Sequence, residues 1–169
     1  VSFGVNYRSK VSVDVDGTAV FQNSGTFDSA YTLPLPTMID GGVAFYPIQG
    51  LTLSAAYTFE NNSEVDQFDV TLTNGTGTLA APIPQNWKDS HTIHVGGEYW
   101  IDPKFAVRAG YARDINDSIP DTSINRIIGD INAHEVSLGA AYHWTRYRFG
   151  LTWNSRFGDR EVPVTATNP

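Results

Sequence analysis

Between residues 91 and 114 apolar and polar side chains alternate almost without interruption. Ile93, Val95, Tyr99 and Ile101 fall on one side, and Thr92, His94, Glu98 and Trp100 on the other. Beyond the DPK turn, Val107, Ala109 and Tyr111 oppose Arg108 and Gly110. A period of two is the signature of a β-strand. The same alternation runs through Val1, Phe3, Val5 and Tyr7, through Leu51, Leu53, Ala55, Tyr57 and Phe59, and through Val136, Leu138, Ala140, Tyr142 and Trp144. It returns in Tyr147, Phe149, Leu151 and Trp153. No window keeps a helical period. The pattern predicts seven long strands, at residues 2–21, 35–46, 51–73, 91–101, 105–114, 133–144 and 147–158.

Alternation alone does not say which face meets the solvent. Apolar side chains turned inward make a soluble sandwich or small barrel. Turned outward, they make a membrane pore. Two features favour the second arrangement. Globular strands average about 5–6 residues, whereas a tilted membrane strand needs about 9–11, and these strands have the greater length. The connections also sort. NSGTFDSAYT, NGTGTLAAPIPQNWKDS and INDSIPDTSINRIIGDIN are long, and PIQG, DPK and TR between them are short. This holds if residues 51–73 are one strand crossing ENNSEVDQ without turning back. Tight turns at one rim and long loops at the other belong to outer-membrane barrels, and Tyr, Trp and Phe near strand ends suit their aromatic girdles. The expected fold is an all-β, antiparallel transmembrane barrel, present as a partial barrel of about seven strands.

Composition removes several functions. The formal charge of −7 and a scatter of 11 Lys and Arg leave no basic patch for nucleic acid. The absence of Cys excludes disulfides, Cys-ligated zinc and thiol catalysis. No apolar run reaches the roughly 18 residues of a membrane helix, and a mean hydropathy of −0.24 is compatible with a barrel. VSFGVNY at the start already reads as strand, so the chain is expected to be part of a longer one.

Several segments resemble the FadL-type transporters of the bacterial outer membrane. VNYRSKVSVDVDGTAVF resembles a recurring segment in which an SYRS sequence leads into a long strand and a DG pair. LPLPTMIDGGVAFYPIQGLTLSAAYTF resembles the next hairpin. PQNWKDSHTIHVGGEYWIDPKFAVRAGYARDINDSIPD carries the NWKD and RAGY elements of that family, and GDINAHEVSLGAAYHW resembles the strand that follows. The resemblance covers most of residues 3–144. It implies a barrel of about 14 strands plugged by an N-terminal hatch, passing fatty acids or aromatic hydrocarbons without covalent chemistry. By this reading the chain is the carboxyl-terminal portion, without the hatch, the first strands and the last strand. Two departures stand out. ENNSEVDQ occupies the place of a Trp-Ser pair, and His134 that of an Arg.

Candidate chemistry is sparse. His91 and His94 are three apart and fall on opposite faces of a strand, which disfavours a shared metal. His94 and His143 fall on the polar face. NGTGTL lacks the Lys and helix of a phosphate loop, and DVDG at Asp14–Gly17 is too short for a calcium loop, so both read as loop or turn. Asp114, Asp117, Asp121 and Asp130 form an acidic stretch, read first as solvated charge and second as weak ligands for a cation bridging to lipopolysaccharide phosphates. No catalytic constellation and no cofactor site stands out. The polar-face set of Arg8, His94, Glu98, Arg108, Glu135 and Arg148 reads first as cross-strand pairing. Ligand contact is the second reading, with Arg108 and Arg148 able to pair a carboxylate. The expected function is passive uptake of hydrophobic compounds by a monomeric barrel in contact with outer-membrane lipid and lipopolysaccharide. A structural or adhesive barrel and a soluble all-β lipid-binding module are the alternatives.

Overall fold

The computed structural model describes residues 1–22, 25–65, 67–74, 76–115, 118–121 and 131–160. Its strands are β1 (Ser2–Arg8), β2 (Val11–Phe21), β3 (Gly25–Leu35), β4 (Met38–Phe45), β5 (Leu51–Glu60) and β6 (Gln67–Asn74). They continue with β7 (Gly77–Pro84), β8 (Ser90–Trp100), β9 (Phe105–Ile115), β10 (Asn132–Trp144) and β11 (Tyr147–Asp159). All pairing is antiparallel. A seven-stranded sheet in the order β1-β4-β5-β8-β9-β10-β11 forms the wall, and a four-stranded sheet in the order β2-β3-β6-β7 stands beyond one rim.

The wall reproduces the seven expected strands, with two corrections. The segment read as one strand over residues 2–21 is divided at Ser9–Lys10 into β1 and β2, which belong to different sheets. The segment read over residues 51–73 is broken by a 3-10 turn at Asn62–Glu64, within the departing ENNSEVDQ. Two stretches read as loop, GTFDSAYTLPL and GTLAAPIP, are strands β3 and β7. Their prolines misled the reading. Pro82 and Pro84 lie on an edge strand, and Pro34 lies past the end of the β3–β6 pairing, where its register partner is Ser12 of the edge strand β2.

The two rims remain sorted. Arg8, Met38, Glu60 and Ser90 are successive register partners at one rim. All four passages between the sheets occur there. At the other rim, Tyr46–Gly50, Ile101–Lys104 and Thr145–Arg146 turn tightly. Gly50 adopts φ +84°, and a Cβ there would approach the Trp100 carbonyl oxygen to 3.1 Å. A hydrogen-bonded knot closes the long-loop rim. Lys10 donates to the Glu64 carbonyl, Thr37 to the Glu64 carboxylate, and Asn62 to Ser90. Val65 is fully buried beneath it. Trp87 of the NWKD segment packs edge-on against Phe68, 5.6 Å between ring centres, tying the wall to the second sheet.

Among the described residues, no apolar core exists on either side of the wall. The buried apolar residues among those described are Val65 and Ile119 at the long-loop end and the small Ala106, Ala133 and Ala141. Tyr57, Leu138 and Phe149 are 44%, 52% and 56% exposed. A water-soluble sheet would bury these side chains, worth about 1.5–3 kcal/mol each. Their exposure in unbroken rows rules out the soluble-module reading and leaves lipid as the medium they meet.

Candidate functional site: the polar inner face

Register divides the inner face into tiers. Nearest the tight turns, His143 faces Arg148 across β10 and β11. Above them Trp100, Ala106 and Ala141 align. Trp100 contacts the His143 ring edge-on at 4.7 Å. The next tier is Thr52, Glu98, Arg108, Gly139 and Thr152. Arg108 Nε donates to Glu98 Oε2 at 2.5 Å, and Trp100 Nε1 to Glu98 Oε1 at 2.7 Å. Both carboxylate oxygens are therefore occupied, which holds the guanidinium in place.

The following tier is small on β5 to β10, with Ser54, Gly96, Gly110 and Ser137, and ends in Asn154 on β11. A Cβ on Gly110 would come within 2.6 Å of Ser137 Oγ and would turn that hydroxyl aside. Thr52, Glu98, Arg108, Gly139 and Thr152 of the first tier and Ser54 and Ser137 of the second line a recess of about 290 Å³.

Charge returns above. His94, Glu135 and Arg156 share a tier, and Asp40, Thr58, Thr92 and Asp114 the next. Arg156 pairs with Asp114 at 2.6 Å. Asp40 accepts from Asn6 at 3.0 Å and from Thr58 at 2.8 Å.

The candidate residues thus divide. Glu98 and Arg108 meet in the recess. Arg148 lies two tiers below, beside His143. His94 lies two tiers above, apart from His143. Arg8 is at the long-loop rim, opposite Met38. Of the weak metal candidates, Asp114 holds Arg156 and Asp121 holds Arg160 at 2.7 Å, while Asp117 and Asp130 lie outside the described residues. Sequence reading missed Arg156 and the Asn6–Asp40–Thr58 network. Asn6 and Asp40 are 34 residues apart, and only the strand register joins them.

The pattern of greasy outer rows and hydrophilic inner tiers has a counterpart in known proteins. The family profile described as outer membrane protein transport protein (OMPP1/FadL/TodX) matches residues 1–149. The chain belongs to this family. FadL/TodX proteins are outer-membrane transport proteins, which places this wall in the outer membrane. Solved structures show the same fold. A FadL homologue of Pseudomonas aeruginosa superposes with a TM-score of 0.77 at 20% identity, over 93% of this chain and 40% of that one. The toluene transporter TodX of Pseudomonas putida gives 0.64 at 18% identity, over 90% and 39%. The toluene transporter TbuX of Ralstonia pickettii gives 0.54 at 16% identity, over 91% and 42%. The chain therefore spans about two fifths of the length of these barrels. No curated protein matches it.

Proposed function

We propose that the chain is the carboxyl-terminal portion of an outer-membrane channel for passive uptake of hydrophobic compounds, long-chain fatty acids or aromatic hydrocarbons. The observation that supports this most is the wall itself: exposed aliphatic rows outside, and inside a recess bounded by one fixed guanidinium and a floor of Gly and Ser. The similarity to TodX and TbuX, described as toluene transporters, and to a monoaromatic hydrocarbon channel adds the chemical class.

In this mechanism no bond is made or broken. An amphipathic molecule slides its apolar body past the small side of the recess, Ser54, Ser137 and Gly139. A carboxylate, where the substrate has one, meets Arg108, whose Nε is committed to Glu98 while its terminal nitrogens remain as donors. Arg148, without a salt bridge among the described residues, offers a second station toward the tight-turn rim. In the complete barrel, Arg108→Ala and Arg148→Ala are each expected to lower uptake of labelled oleate while leaving toluene uptake unchanged. Unchanged oleate uptake by correctly inserted variants removes the carboxylate role. Loss of the whole gene without effect on either compound favours a structural or adhesive barrel.

A further inference from the structure

Among the described residues, the outer face of the wall is ionisable only in its two tiers nearest the long-loop rim. Strand parity places His91 on β8, Arg113 on β9, His134 on β10 and Asp159 on β11 on this face, all close to the long-loop end of their strands. From there to the tight turns the described outer positions carry no Asp, Glu, Lys, Arg or His. Arg113 lies eight residues beyond Phe105 on β9. At about 3.4 Å per residue and a tilt of about 40°, that is a rise of about 21 Å, close to the far edge of an apolar band about 25 Å tall. Arg113 therefore sits at the depth of the outer-leaflet headgroups, since long loops of such barrels face outward.

The neighbours of Arg113 are arranged as a receptor. His134 is its register partner, and Phe157 flanks His134 on the far side, stacked on the imidazole at 5.5 Å. Tyr111 OH lies 2.6 Å from His134 Nδ1, and Tyr57 OH lies 2.6 Å from His91 Nδ1. The same diagonal Tyr–His pair thus occurs twice on this face. Each contact anchors one ring nitrogen of its imidazole and leaves the other free for a further partner. The half-buried Arg113 makes no ion pair among the described residues. A recess of about 470 Å³ opens between Arg113, Asn132, His134, Phe157 and Asp159. An unpaired guanidinium at this depth is open to an anion. At this depth the abundant anions are the phosphates of the outer-leaflet glycolipid, and planar guanidinium matches phosphate in bidentate fashion. Asp159, the acid on the same face, lies one step nearer the rim, opposite Asn132, and opposes the binding.

We propose that Arg113 and His134, with His91 beside them, form a site on the lipid-facing wall for a phosphate of an outer-leaflet glycolipid. The site holds the barrel's lipid annulus and is separate from the inner recess.

The test is retention of lipid by the complete barrel in detergent, read by native mass spectrometry. The probes are bis-phosphorylated lipid A, the same glycolipid without phosphates, and inorganic phosphate. Phosphorylated lipid A is expected to bind about tenfold more tightly than the dephosphorylated form. Arg113→Gln is expected to abolish that preference, His134→Gln to weaken it, and Asp159→Asn to strengthen it. Arg113→Lys, which keeps the charge and loses the fork, gives the same reading at intermediate strength if Arg113→Gln does not fold. Equal binding of both glycolipids, or an unchanged preference in the Arg113 variants, overturns the site. Displacement of lipid A by millimolar inorganic phosphate overturns the lipid as its occupant. Hydrocarbon uptake plays no part in this measurement, so its failure leaves the transport reading untouched.

Discussion

Glu98 and Arg108 are register partners on β8 and β9, and their side chains meet on the inner face with Nε 2.5 Å from Oε2. The pair is half-exposed, with side-chain accessibilities of 28% and 49%, so it adds little to stability. A double-mutant cycle with Glu98→Gln and Arg108→Gln is expected to give a coupling below about 1 kcal/mol. Glu98→Gln should instead change transport, because it frees the guanidinium from one position. Its measurable sign is a raised apparent KM for oleate with little change in maximal rate.

Gly110 offers a steric test of the inner route. The 2.6 Å approach of a Cβ to Ser137 Oγ means that Gly110→Val must turn the Ser137 hydroxyl aside and add bulk to the inner face beside the recess. Uptake of toluene by the complete barrel should fall several-fold, and Ser137→Gly in the same protein should restore part of it. Equal uptake in wild type and Gly110→Val would show that substrates do not pass this tier.

Neighbouring residues on β10 should respond oppositely to charge. By register parity the Leu138 side chain is on the outer face near mid-strand, and that of Ser137 on the inner. Leu138→Arg is expected to destabilise the complete barrel folded in lipid vesicles by about 2–4 kcal/mol. Ser137→Arg should cost far less, because water reaches it. Denaturant titration in vesicles measures both.

The wall sheet ends on β1 and β11, whose outer edges are unpaired among the described residues. Long exposed edges template association with other chains. Residues 1–169 expressed alone are expected to form inclusion bodies, and to stay aggregated after denaturant is removed without detergent. A monodisperse soluble monomer would contradict the fold's dependence on lipid and on further strands.

The seven wall strands were legible because alternation persists where one face is greasy and the other wet. Leu138 and Ser137 cannot exchange places without turning every neighbour over. The opposite faces of His91 and His94 followed from the same parity. The second sheet was not legible as such. Its strands β3 and β7 are rich in Gly, Pro and Thr, and those residues signal loops unless the edge position that tolerates them is known. The break at Ser9–Lys10 was hidden because apolar odd positions continue on both sides of it, from Tyr7 to Val11. Within the site, the meeting of Glu98 with Arg108 needed only the DPK hairpin, which sets register across a short turn. The Arg156–Asp114 pair and the Asp40 network needed the order of strands joined by long loops, and local pattern carries no information on that.

The orientation of the wall underlies the transport reading and the lipid site alike. Residues 1–169 contain no Cys, so single cysteines can be introduced along β10 from Val136 to Trp144 and nitroxide-labelled in the complete barrel in bilayers. Collision with oxygen should peak at Val136, Leu138, Ala140 and Tyr142, and collision with a water-soluble nickel chelate at Ser137, Gly139, Ala141 and His143. The reverse phase, or a flat profile in both reagents, would contradict an outward-facing apolar surface around a hydrated interior.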